Sequence, residues 1–133
     1  MRYRVRLIAA VLLGLSGCAT TYHPNSFTGG YLDQQIGENT YLVTFKANSF
    51  TEVENVQNFL LYRCAELTVQ KGGDYFIKVE ETTDLRHVAG VKPEMRATIK
   101  VMKGQNPEDN PKAYDAREVM KYLGPTVGQQ PRP

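Results

Sequence analysis

From residue 41 to residue 46 apolar and polar side chains alternate, with Tyr41, Val43 and Phe45 on one parity and Leu42, Thr44 and Lys46 on the other. A period of two predicts a strand with one face on a core. The same alternation runs through DYFIKVEETT, with Tyr75, Ile77 and Val79 inward and Phe76, Lys78 and Glu80 outward, and through MRATIKVMK, with Ala97, Ile99 and Val101 inward. These are the second and third strands. GYLDQQIGE, ahead of the first, is compatible with either a short edge strand or a loop.

Between the first two strands the period lengthens. Val53, Val56, Leu60, Cys64 and Leu67 recur three or four apart, and Phe59 and Val69 broaden the stripe, which predicts a long amphipathic helix. Thr51 and Glu54 have the spacing of a capping box, and Lys71 before Gly72-Gly73 marks the carboxyl end. DAREVMKYLGP predicts a short terminal helix capped by Asp115, with Ala116, Val119, Met120 and Leu123 on one side and a stop at Gly124-Pro125. DLRHVAGVKPE, with Gly90 and Pro93, reads as a long loop, and Pro107 and Pro111 break GQNPEDNPKAY.

The expected fold is therefore α+β: a small three- or four-stranded sheet packed against one long amphipathic helix, with a short C-terminal helix. The helix crosses between strands one and two. One arrangement open to the third strand is between them, antiparallel to both, as in half of a ferredoxin-like unit.

The amino terminus has a different pattern. Arg2, Arg4 and Arg6 precede the apolar LIAAVLLGL and the small residues Ser16 and Gly17, the layout of a secretory signal. A membrane-spanning helix needs ~20 apolar residues, and this run breaks well short of that. Leu15-Ser16-Gly17-Cys18 resembles the lipobox of bacterial lipoproteins, in which a leucine stands three places before the cysteine. The resemblance implies that the Cys18 thiol takes a diacylglycerol, that a peptidase cuts before it, and that the new amino group is usually acylated as well. Two or more acyl chains hold a protein stably at a membrane, each buried methylene contributing ~0.8 kcal/mol. Ala19, where an aspartate favours inner-membrane retention in enteric-type lipoproteins, implies the outer membrane, facing the periplasm. The competing reading is an ordinary signal cut after Ala19, since Gly17 and Ala19 also form a small-x-small site.

On this reading 1–17 are a lipoprotein signal peptide, 18–30 an acylated cysteine with a flexible tether, 31–124 one α+β domain and 125–133 a disordered tail. A tether of that length would hold the domain roughly 20 Å off the bilayer.

Composition changes the picture once the signal is set aside. The chain of 133 residues carries net charge +2 from 16 Lys+Arg and 14 Asp+Glu; removing Arg2, Arg4 and Arg6 leaves 13 against 14, about −1. The apparent basicity belongs to the export signal, and with it the electrostatic case for nucleic acid lapses. Only Cys64 remains as a thiol beside an acylated Cys18, so no internal disulfide is available.

GY, GENTYLVTFKANSFT, YRCAELT and GGDYF, in this order between Gly30 and Thr82, resemble a family of small proteobacterial lipoproteins with no established activity. The resemblance covers about half of the mature chain and implies no substrate or cofactor. In that family the position of Cys64 is usually alanine.

Candidate chemistry is sparse. Cys64 lies on the apolar stripe and reads as a small buried hydrophobe, with Arg63 pointing ~100° away from it. His23 falls in the tether and His87 in the long loop, with no cysteine or carboxylate cluster to make a metal site. Glu80 and Glu81 point to opposite faces of a strand unless it is bulged. No catalytic residue, metal or cofactor is expected, and the protein is not read as an enzyme. Lys46, Lys78, Arg96 and Lys100 would form a basic stripe on the outward sheet face, a candidate contact for lipid headgroups, glycans or cell-wall carboxylates. A solvated sheet face carries such residues equally well. The expected function is a membrane-anchored, non-catalytic envelope interaction or maintenance module whose partner is an envelope protein, lipid or cell wall. The alternative is a periplasm-facing ligand-binding module for lipid, glycan or metal.

Overall fold

The computed structural model describes residues 19–26, 29–48, 50–84, 93–105 and 110–128. Leu15, Ser16, Gly17 and Cys18, the loop carrying His87, Pro107 and the tail 129–133 lie outside the described residues.

Among the described residues the elements run β1 (Gly30–Gly37), β2 (Thr40–Lys46), α1 (Val53–Gln70), β3 (Tyr75–Asp84), β4 (Glu94–Met102), β5 (Ala113–Asp115) and α2 (Ala116–Gly128). The strands form one antiparallel sheet in the order β1-β2-β4-β3-β5. The chain is α+β, as its pattern predicts, but the sheet has five strands rather than three or four. The additions are the two edges. GYLDQQIG is a strand, joined to β2 by a tight turn of Glu38 and Asn39 in which Asn39 takes a left-handed φ of 54°, a conformation asparagine adopts more readily than most residues. β5 is three residues long, too short to leave a periodic trace. β4 lies between β2 and β3 and antiparallel to both, so the helix links two strands of parallel direction.

α1 covers one face of the sheet. Tyr41, Val43 and Phe45 of β2 and Met95, Ala97, Ile99 and Val101 of β4 meet Val56, Phe59, Leu60, Cys64 and Leu67 of the helix in one buried cluster. Phe45 and Phe59 lie at its centre, ring centroids 5.1 Å apart. Truncating a fully buried Phe typically costs ~3–5 kcal/mol, and these two rings, with Phe76, are the largest side chains the core buries completely. α2 packs alongside α1 and contributes Ala116, with Val119, Met120 and Val127 against the cluster's edge.

β3 departs from its expected phase. Phe76 enters the cluster under α1, where its ring stacks on Tyr114 at 5.2 Å, while Tyr75 is buried outside that cluster and Ile77 is half-buried. Lys78 pairs with Ile99 and Glu80 with Thr98, leaving Val79 as an extra residue in a β-bulge, 65% exposed. Apolar side chains stand at both parities in YFI, so alternation alone could not choose between the two faces, and a bulge then reverses the parity of everything after it.

Helix ends differ in detail too. α1 begins at Val53 with Glu52 as cap residue and no side-chain cap bond, so the expected Thr51–Glu54 box does not form. Val53 itself is 47% exposed and off the buried stripe. At the other end the Lys71 amide donates to Leu67 O, and Gly72 takes φ 77°, the left-handed stop its sequence predicts. Asp115 caps α2 as expected, its Oδ1 accepting from the amides of Arg117 and Glu118 at 3.0 Å. α2 does not stop at Gly124-Pro125; it continues to Gly128 with Pro125 inside.

Candidate functional site

The described residues of the segment expected to be a flexible tether, 19–26 and 29–30, are docked on the domain. Thr20 is 2% exposed: its amide donates to Thr51 Oγ1 at 2.8 Å, and its own Oγ1 accepts from the Asn48 amide at 2.9 Å. Thr51 is unavailable for capping because its hydroxyl serves this contact and donates to Asn48 Oδ1. Further on, the Tyr31 amide donates to His23 O and the Asn25 amide to Tyr31 O, each at 2.8 Å, so residues 23–25 run beside the start of β1. Gly30 makes the close approach possible. It holds φ 117°, and a Cβ there would meet His23 O at 2.4 Å.

Tyr22 completes the docking through an ionic cluster under β1. Arg63 is 7% exposed; its Nε donates to both Asp33 oxygens at 3.1 Å, Nη2 pairs with Asp33 and Nη1 with Glu66. Its guanidinium lies 4.0 Å from the Tyr31 ring centroid, and the Tyr22 hydroxyl donates to Glu66 Oε1 at 3.0 Å. Burial opposes the Arg63 charge, but Asp33, with Tyr22 and Glu66 behind it, more than offsets this and holds its pKa above the ordinary arginine range. Burial, reinforced by the Glu66 charge, pushes the Tyr22 hydroxyl far above the usual phenol value. Sequence reasoning missed this cluster. Arg63 sits in the same three-and-four spacing as Phe59 and Leu67, which was the available sign that it points inward.

A groove of about 330 Å³ opens on the other side of α1, between the helix and the bulged part of β3. Leu60, Leu61, Cys64 and Met95 form its floor, and Gln57, Asn58, Lys78 and Glu81 its polar rim. The bulge places Lys78 and Glu81 on the same side, with Lys78 Nζ 2.7 Å from Glu81 Oε2 and 5.3 Å from the Tyr114 ring centroid. Burial lowers the tendency of Lys78 to hold its proton, but the Glu81 hydrogen bond and charge raise it further, so the ammonium is retained above its ordinary range. Cys64 is fully buried, and burial pushes its thiol up to about 12. Burial thus disfavours the thiolate, the nucleophilic form.

The four cations expected in one stripe do not share a face. Lys78 is on the helix side, because the phase of β3 is the reverse of the expected one. Lys46, Arg96 and Lys100 lie on the open side, where Lys46 stands opposite Glu94 and Arg96 pairs with Glu94. The register adds Glu80 and Asp84 to that side, so three acids match three cations and the surface is mixed rather than basic. Glu80 and Glu81 still face opposite ways, since the bulge precedes both.

Among the described residues no group of three histidine, cysteine, aspartate or glutamate side chains could hold a metal ion, and no helix is long and apolar enough to cross a membrane. Searches for a matching protein family, a curated relative and a similar solved structure found none.

Proposed function

We propose that the chain is an envelope lipoprotein, acylated at Cys18 and held on the periplasmic side of the outer membrane, whose α+β domain is a non-catalytic interaction or maintenance module. The observation that carries this is the sequence Leu15-Ser16-Gly17-Cys18 behind three arginines and an apolar run too short to span a bilayer. On this reading the docked Thr20 and Tyr22 leave little slack between anchor and domain. The non-catalytic part is supported by Cys64, which is fully buried among apolar side chains, where burial raises its thiol pKa. The test is radiolabelled palmitate incorporation in the wild type beside Cys18→Ala, followed by membrane fractionation. Label and membrane association present in the wild type and lost in the variant support the proposal; an unlabelled wild type refutes it.

One observation favours a second reading, ligand binding. The groove beside Cys64 combines an apolar floor with an ion pair at its rim, a lining suited to a small amphiphile such as a lipid or glycan fragment. A melting-temperature rise with such ligands that Leu61→Asp abolishes would support it.

A further inference from the structure

We infer that the domain stands directly on the bilayer, with the amino-terminal end of α1 toward the lipid and the side chains of Phe50 and Val53 in the membrane interface. The inference rests on acylation of Cys18 and adds an orientation to it. Cys18 is two residues from Thr20, and two residues of chain span at most about 7 Å. Thr20 is fixed to Thr51 and Asn48, so the lipid leaves the protein at this end of the domain and at no other. A free tether of thirteen residues would have left the orientation open; the docked segment removes that freedom.

Among the described residues around the exit point, two large apolar side chains project. Phe50, whose amide bonds to Asn48 Oδ1, is 60% exposed, and Val53, at the first turn of α1, is 47% exposed. They flank Thr51, the residue that holds Thr20. Aromatic and aliphatic side chains at this height enter the boundary between headgroups and acyl chains. Glu52 and Glu54, both exposed beside them, oppose attraction to anionic headgroups, so the contact proposed is apolar and made to a zwitterionic surface. The opposite end of α1 carries Gly72 near Lys103, and an 18-residue helix places it about 27 Å away, beyond reach of the interface.

The chain contains no tryptophan, which makes the test direct. Phe50→Trp and Lys103→Trp, each a single exposed reporter, are purified in acylated form and reconstituted into phosphatidylethanolamine–phosphatidylcholine vesicles with and without a lipid spin-labelled near the headgroup. Intact mass on the same samples reports acylation. The expected result is blue-shifted emission and strong quenching in the Phe50→Trp protein, water-like emission and no quenching in the Lys103→Trp protein, and no gain when phosphatidylglycerol is added. Acylated Phe50→Trp protein with water-like, unquenched emission overturns the orientation while leaving the anchor intact. Blue-shifted but unquenched emission from the same protein also overturns it and points to a protein contact. Unacylated protein overturns both.

Discussion

Arg63→Met is the sharpest perturbation of the fold. Methionine matches the aliphatic length of arginine and removes its charge, leaving Asp33 and Glu66 facing each other under β1 with no cation between them. Removing one partner of a fully buried ion pair typically costs ~3–5 kcal/mol. Here the acid side chains retain 19% and 23% of their exposure, so water screens part of the loss and the expected cost is about 2–3 kcal/mol. For a domain of this size that lowers Tm by roughly 10 °C. Urea denaturation followed by circular dichroism reads the change as a lower midpoint at unchanged slope. A cycle with Asp33→Asn should give a coupling of at least ~1 kcal/mol, because the two side chains share three contacts. Arg63→Met as stable as the wild type, or more so, would show that the cost of burying the guanidinium exceeds what its partners return, and the argument for an ionic lock on β1 would fail.

Tyr22→Phe removes the bond to Glu66, and hydrogen exchange should then speed at the Tyr31 amide while amides of β4 keep their protection; unchanged exchange at Tyr31 would mean the amino-terminal segment docks without it. Asp115→Ala should cost about 1 kcal/mol through loss of the α2 cap, with Asp115→Asn recovering most of it in thermal melts. The Cys64 thiol is raised from 9.0 to about 12 in the fold, so its contribution to stability is complete below pH 9 and is lost as pH rises toward 12. Native protein should therefore resist thiol reagents at pH 8 and react only on unfolding, and Cys64→Ala should flatten the alkaline limb of the stability profile. Asp74 is held below the usual carboxylate range by the Gly104 amide and then Arg117, so Asp74→Asn should lower Tm at pH 7 and converge with the wild type as pH falls below 3.8.

Most of the architecture was legible because one-sided burial imposes a period. β4 alternates throughout and β2 does so except at the buried Thr44, each having one face on α1, and the helical stripe from Val56 to Leu67 follows from the same cause. β1 resisted because GYLDQQIG buries little and carries its structural information in Asp33, whose partner lies thirty residues away. β3 resisted because a single extra residue, Val79, reverses parity, and nothing local marks a bulge that is stabilised by Lys78 and Glu81 meeting on the helix side. The phase ahead of the bulge, set by Phe76 entering the core, removes Lys78 from the candidate ligand face. The tether escapes pattern reading for a related reason. TTYHPNS is polar and short, and its order comes from Thr51, Asn48 and Glu66, which only the folded domain brings to it.

The central claim is that a lipid on one sulfur places this domain at a membrane. Mass spectrometry of the intact mature protein, extracted from cells in detergent, tests it most directly. The account predicts a polypeptide starting at Cys18 and heavier than its sequence by a diacylglyceryl group and an amide-linked acyl chain. A product starting at Thr20 or later at its unmodified mass would contradict it.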